Sequence, residues 1–249
     1  IIAQIWYSIY MKNIKSIDGK IHIIEDFISP DTAMFIYKSI NPHVDMSHQK
    51  AGPSVYSGPS AGENAEQVGR TRTIAAYNND PWYNVAIDLL SMICPMMSRV
   101  ISDFYKEEYD LKTAFYSKML TGGRNVLHMD NRFVSTKDEL IERPGADADR
   151  SGLLYFYSDC EGGELNFPFQ NFKIKPNPGT FIFFTGDEEV PHEVTPVLSG
   201  ERNNLISFFW PADRNADDFY KNQRYTNARN GIHQEVQTTL EFLENHKNK

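Results

Sequence analysis

His128 and Asp130 stand two positions apart in the run Leu127-His128-Met129-Asp130. In a β-strand, residues two apart point to the same side. An imidazole nitrogen and a carboxylate oxygen then face one space, an arrangement suited to a single metal ion. The pair alone is a weak signal. Seven His and 33 acidic residues give about one His-x-acid triplet by chance, the ordinary false-positive level of a short motif. The chain holds three such triplets. His43-Val44-Asp45 falls in an irregular segment. His233-Gln234-Glu235 falls in an expected helix, where positions i and i+2 do not share a face. Only His128 and Asp130 lie beside expected core strands.

The candidate third donor is His192, in Val190-Pro191-His192-Glu193-Val194, 64 positions downstream, although a single His at a strand edge is more often a hydrogen-bonded surface or core residue. Two His and one carboxylate with open coordination positions make the facial triad of non-haem Fe(II) sites. Arg202 follows His192 by ten positions, on the expected next strand. A buried guanidinium needs an anionic partner, and its fork takes a carboxylate bidentately. A dicarboxylate lying between metal and Arg202 satisfies both ends.

The elements that must hold these groups follow from patterning. Residues 21–28 read as a short strand and its exit. Ser29 and Pro30 then form a helix start, followed by Ala33, Phe35, Ile36 and Ile40 as an apolar set. Residues 41–72 are rich in Pro, Gly, Ser, Asn and His without periodicity, which predicts a long loop. Trp82 to Tyr105 carries apolar residues at helical spacing, with Pro95 as a candidate kink. After Leu111 the texture changes. Residues 113–120, 124–130, 152–158, 163–169, 172–175, 179–185, 191–197 and 203–210 are short apolar or alternating runs between turn residues. Such a series predicts an all-β sandwich or barrel. Residues 135–150 read as a polar surface insertion with one helical turn. The segment His233–Lys249 puts Val236, Leu240 and Leu243 on one helical face.

The expected organisation is one domain over 21–249. It has a helical part (21–110), a β core (111–212) and a tail with a closing helix (213–249). Residues 1–20 are read as an extension, with Met11 a candidate native start. The apolar stretch Ile1–Met11 is too short to span a bilayer and lacks the basic start and cleavage site of a signal peptide. The default expectation is a cytoplasmic protein with no membrane partner.

Composition is that of a folded globule, 41% hydrophobic and 23% charged, which excludes a disordered or collagenous chain. The 25 basic and 33 acidic residues leave a net charge of −8. That balance argues against a nucleic-acid partner, which needs a basic footprint. Two cysteines, Cys94 and Cys160, make neither a disulfide framework nor a four-thiolate zinc site.

Four ordered stretches carry a family resemblance: "LTGGRNVLHMDN", "LLYFYSDCEGGELNFP", "KPNPGTFIFF" and "PHEVTPVLSGERNNLISFFWP". With "IIEDFISPDTAMFI" before them, the sequence resembles the Fe(II)- and 2-oxoglutarate-dependent dioxygenases, and most of all their prolyl 4-hydroxylase-like branch. The resemblance implies a mainly β fold: a double-stranded β-helix, or jelly-roll, core with N-terminal helices on one sheet and a C-terminal helix. It implies His128, Asp130 and His192 as Fe(II) ligands and Arg202 as the partner of the distal carboxylate of 2-oxoglutarate. O2 is the second co-substrate and ascorbate a candidate reductant. Gly162-Gly163-Glu164 and Pro178-Gly179 fit turns that enter core strands, and Trp210 closes the last motif near the pocket wall.

One position departs from the pattern. The branch often has a Tyr nine residues before the first His, and this sequence has Met119 there. Tyr116 and Tyr155 are the candidates to replace its contact with 2-oxoglutarate, with Tyr157 a further one. Asn131, Arg132 and Trp210 are candidate substrate contacts. Loops 43–72 and 135–150, with Tyr56, Arg70 and Arg72, are candidate substrate lids. The acidic run Asp187-Glu188-Glu189 reads as a solvated turn. The implied activity is hydroxylation of an unactivated C–H bond with release of succinate and CO2. A prolyl residue of a peptide or protein is the first substrate expected. A free amino acid or small metabolite is the alternative, and a non-catalytic metal-binding β-barrel the second. Oligomeric state is open.

Overall fold

In the computed structural model the described residues are 13–44, 70–73, 79–130, 132–134, 140–142, 149–187 and 189–212. The expected closing helix, the extension before Met11, Tyr56 and Asn131 lie outside them. The strands are β1 (Lys15–Ile17), β2 (Ile21–Ile24), β3 (Arg70–Thr73), β4 (Tyr109–Leu120), β5 (Asn125–His128), β6 (Arg132–Val134), β7 (Leu140–Glu142) and β8 (Arg150–Ser158). They continue as β9 (Glu161–Gly162), β10 (Leu165–Phe167), β11 (Phe172–Ile174), β12 (Phe181–Thr185), β13 (His192–Val194), β14 (Val197–Ser199) and β15 (Glu201–Pro211). Among the described residues two α-helices, α1 (Pro30–Ile40) and α2 (Pro81–Tyr105), precede the main β region.

Helix α1 starts as the sequence predicts. Ser29 Oγ accepts from Thr32 N–H at 3.1 Å, and Pro30 opens α1. Helix α2 begins one residue before the expected Trp82: Asp80 accepts from the N–H groups of Trp82 and Tyr83 and caps it, its carboxyl lowered first by the Tyr83 bond and then by the bond to His43. Helix α2 runs as one element through Pro95 and ends at Lys106 in the left-handed region. It has the length and mean hydropathy (1.5 over 18 residues) of a membrane span. The cause of that apolarity is packing: Ala86, Leu90, Ile93, Met97 and Ile101 are buried in a core shared with the sheet.

The sheets form two layers. A seven-stranded sheet has the order β1-β2-β12-β8-β15-β4-β3, and a four-stranded sheet the order β11-β10-β13-β5. Strand alternation divides the core. Phe181, Phe183, Leu154 and Phe156 turn outward onto α1 and α2. Ile182, Phe184, Leu153 and Tyr155 turn inward toward Leu165, Phe167 and Val194 of the smaller sheet. The functional groups sit at this inward face. This is the jelly-roll architecture with helices on one sheet that the resemblance implied.

Glycine is required at two turns. Gly162 has φ +72, and a Cβ there would lie 2.1 Å from the Pro196 carbonyl oxygen. Gly179 has φ +88, and a Cβ would lie 2.2 Å from the Ile28 carbonyl oxygen. Glu164 accepts from the Thr195 hydroxyl, and Thr195 Oγ1 accepts in turn from Glu164 N–H at 3.0 Å. That exchange fixes the turn into β10.

Two loop expectations change. Arg70 and Arg72 belong to an edge strand, not a loop: β3 pairs with β4 in the register Arg70↔Met119 and Arg72↔Ser117. Within the 135–150 insertion, Leu140–Glu142 is a strand paired with Arg132–Val134, where one helical turn was expected. Pairing with a partner strand, invisible to local patterning, overrides local propensity in both places.

Candidate metal centre and anion pocket

Strands β5 and β13 pair antiparallel, and His192 is the register partner of His128. The two ring centroids lie 4.3 Å apart. Asp130 follows just beyond the end of β5, its N–H donating to the Gly186 carbonyl at 2.9 Å. One carboxylate oxygen lies 3.4 Å from His128 Nε2 and the other 3.4 Å from His192 Nε2. A ligand atom from each of the three residues falls within 4.8 Å of the others, and all three residues are buried.

The electrostatics favour a cation. Burial pushes His192 down to about 4, with the His128 ring adding to the effect, so His192 is neutral near pH 7. His192 Nδ1 lies 3.2 Å from the Val190 carbonyl oxygen, which fixes Nδ1–H as donor and leaves the Nε2 lone pair on the cluster side. Burial alone would raise the Asp130 carboxyl. His192, His128 and a hydrogen bond from Ser151 outweigh it and hold the group well below the usual carboxylate range. A buried anion between two imidazoles is costly unless a positive charge joins it. Two imidazole nitrogens and one ionised oxygen fit the facial-triad donor set of a non-haem iron site.

Arg202 lines the same cavity as the three residues, together with Met119, Asn125, Ser151, Leu165, Ile206 and Phe208. It is 1% exposed. Its Nη1 donates to Asn204 Oδ1 at 2.8 Å and its Nη2 to the Tyr155 hydroxyl. The Nε has no partner, and among the described residues no carboxylate pairs with the guanidinium. A buried cation left so is strongly unfavourable, which calls for an anionic ligand in the cavity.

Met119 faces Arg202 as its register partner across the β4–β15 ladder and is 1% exposed. Tyr155 supplies the hydroxyl there. Its ring lies under the guanidinium, 4.8 Å from Cζ to centroid. The hydroxyl accepts from Arg202, so its own proton is free to be donated to an anion. Burial raises its pKa and keeps that proton in place.

Tyr116 is not in the cavity. It lies in the core shared with the helices, stacked on Phe156 at 5.8 Å, and its hydroxyl donates to Asn203 Oδ1 at 3.0 Å. Three residues from Met119, it falls on the opposite face by strand alternation. Tyr157 stacks on Tyr37 of α1 at 4.2 Å, also away from Arg202. Trp210 pairs with Asp110 near the far end of β15 and does not line the cavity; eight residues of strand separate it from Arg202. The side chain of Arg132 lies outside the described residues. His43, of the first rejected triplet, lies 2.9 Å from Asp80 Oδ2, at the helix start.

Two polar groups of the cavity escaped sequence reasoning. Ser151 Oγ donates to Asp130 Oδ2 at 2.5 Å, and Asn125 Nδ2 lies 3.4 Å from His128 Nε2. Strand parity could have found Ser151, which shares its inward side with Leu153 and Tyr155.

Residues 113–210 match the family model of the 2OG-Fe(II) oxygenase superfamily. Over that span the sequence is similar to this superfamily. The chain is 34% identical, over 91 residues, to prolyl 3-hydroxylase 2 of Gallus gallus, a match covering 33% of this chain and 13% of that protein. The chain therefore spans a small part of that relative. The fold resembles the prolyl hydroxylase of Trichoplax adhaerens solved with a hypoxia inducible factor oxygen degradation domain peptide fragment. The TM-score is 0.54 at 18% identity, over 84% of this chain and 92% of that one. It also resembles a Pseudomonas putida prolyl-4-hydroxylase, with a TM-score of 0.52 at 15% identity over 82% and 98% of the two chains. At these identities the likeness to the two structures is one of fold. Oxygenases of this superfamily work with Fe(II), 2-oxoglutarate and O2.

Proposed function

We propose that this chain is an Fe(II)- and 2-oxoglutarate-dependent dioxygenase that hydroxylates a prolyl residue in a peptide or protein. One observation carries the reading. A buried two-His, one-Asp cluster opens onto the same cavity as a buried Arg202 that has no carboxylate partner among the described residues. Metal chemistry and anion binding are thereby combined within one small enclosed space. The prolyl assignment is supported by the Gallus gallus relative named prolyl 3-hydroxylase 2.

His128, Asp130 and His192 would hold Fe(II) through Nε2, a carboxylate oxygen and Nε2. With 2-oxoglutarate and O2, the bound iron supplies the oxidation that places one oxygen atom in a C–H bond and releases succinate and CO2. The rest falls to the protein. Arg202 neutralises the distal carboxylate of 2-oxoglutarate, and Tyr155 donates its hydroxyl proton to the same group. Asn204 Oδ1 fixes the guanidinium plane by accepting from Nη1. Phe184 and Phe167 pack their rings 4.6 and 5.9 Å from that of His192 and shield the cluster from water. The apolar wall of Leu165, Ile206 and Phe208 raises the worth of every charge contact inside.

The test is an anaerobic titration with Fe(II) and 2-oxoglutarate, followed by the visible metal-to-ligand charge-transfer band. Succinate formation is then assayed with ascorbate present, using proline-containing peptides and free amino acids. A band together with peptide-stimulated succinate supports the proposal. Absence of the band removes the dioxygenase reading. Stimulation by free amino acids alone removes the prolyl one.

A further inference from the structure

We propose that Ser151 is a positioning residue for the metal-binding carboxylate of Asp130; this rests on the metal reading above. Ser151 sits near the start of β8, which is flanked on both sides in the seven-stranded sheet. It pairs with Phe184 of β12 and with Phe208 of β15. It is 2% exposed, and its hydroxyl donates to Asp130 Oδ2 at 2.5 Å.

Asp130 is differently placed. It lies beyond the last residue of β5, so no strand ladder orients it. Its backbone is held by the Gly186 carbonyl, and Gly186 N–H in turn donates to the Asp149 carbonyl at 3.1 Å. These bonds place the Cα of Asp130 but not its carboxylate plane. Rotation about the last torsion of an Asp side chain is soft and broad. Residues His128 and Asp130 hang from the four-stranded sheet, while Ser151 belongs to the seven-stranded one. The Ser151–Asp130 hydrogen bond thus crosses between sheets at the metal end. It ties the least constrained of the three donors to a central strand.

One donor on Oδ2 selects one carboxylate orientation. That orientation leaves Oδ1 beside His128 Nε2 and keeps Oδ2 within 3.4 Å of His192 Nε2. A hydrogen bond to an ionised acceptor is short and strong, consistent with the separation. Burial of Ser151 prevents water from standing in for its hydroxyl. Outer partners of this kind are worth ten- to hundredfold in metal affinity.

The experiment compares wild type, Ser151→Ala, Ser151→Thr and a control, Ser207→Ala, by anaerobic Fe(II) titration and by the visible spectrum of the Co(II)-loaded protein. Ser207 is also fully buried, but its hydroxyl donates to the Gly152 carbonyl and touches no donor of the cluster. The expected result is a ten- to hundredfold weaker metal constant for Ser151→Ala with an altered Co(II) spectrum. Ser151→Thr, which keeps the hydroxyl, stays close to wild type, and Ser207→Ala keeps wild-type metal affinity. Wild-type affinity in Ser151→Ala overturns the inference. So does an equal loss in Ser207→Ala, which would signal general loosening. Failure of the wild-type protein to bind Fe(II) or Co(II) would instead overturn the metal reading beneath it.

Discussion

His128 and His192 are register partners across the β5–β13 ladder, with ring centroids 4.3 Å apart. The 63 residues between them are folded so that two short strands meet antiparallel. Asp130, one step past the ladder's end, completes a cluster with ligand atoms within 4.8 Å. Two donors thereby come from the end of β5 and just beyond it, and one from β13.

Replacing His128 or Asp130 with Ala is expected to abolish stoichiometric Fe(II) binding, because the remaining donors cannot hold three positions of the metal. Anaerobic titration checks this. Retention of tight binding by either variant moves the metal elsewhere.

Arg202→Ala removes the one Lys or Arg that lines the cavity among the described residues and leaves the carboxylate of 2-oxoglutarate unpaired. Breaking one side of a buried charge pair costs about 3–5 kcal/mol, or two to three decades in affinity. The apparent 2-oxoglutarate constant rises by that factor while Fe(II) binding persists. An unchanged constant places the anion site away from Arg202.

The two tyrosines separate cleanly. Tyr155→Phe deletes the hydroxyl that meets Arg202 and weakens 2-oxoglutarate by about tenfold, the worth of one hydrogen bond between 1 and 1.5 kcal/mol. Tyr116→Phe deletes a bond to Asn203 on the helix side of the sheet. It costs about 1 kcal/mol of folding stability and leaves the 2-oxoglutarate constant unchanged. Isothermal titration and denaturant unfolding measure the two effects; a reversed pattern would put Tyr116 in the co-substrate site.

His22 sets a pH limit on stability. It is 0% exposed, against Phe104 and Phe183 at 4.1 and 4.9 Å. Burial, with help from Arg150, lowers its pKa from 6.5 to about 4. The unfolded chain therefore takes up the proton first. Stability is complete above pH 6.5 and declines as pH falls from there toward 4, by about 1.4 kcal/mol per pH unit. His192, lowered to about 4 as well, adds a second increment in the metal-free protein. Urea unfolding from pH 7 to 4.5, comparing wild type with His22→Phe, isolates the His22 share. Equal slopes for the two proteins would show that His22 titrates alike folded and unfolded.

Much of this molecule is written locally. Strand alternation puts His128 and Asp130 on one side, a relation that acts over a few residues, and the ordered motifs of the family resemblance add His192 and Arg202. The caps at Ser29 and the apolar runs of β8, β12 and β15 are legible for the same reason. Tertiary structure alone decided which face each side chain met. Tyr116 and Tyr155 are chemically equal candidates in one dimension, yet β4 sends Tyr116 to the helices while β8 sends Tyr155 to Arg202. Ser151 gains its partner, and β3 its ladder, from strands distant in the chain. Pairing across sheets is set by the packing of the whole fold, which local periodicity does not encode.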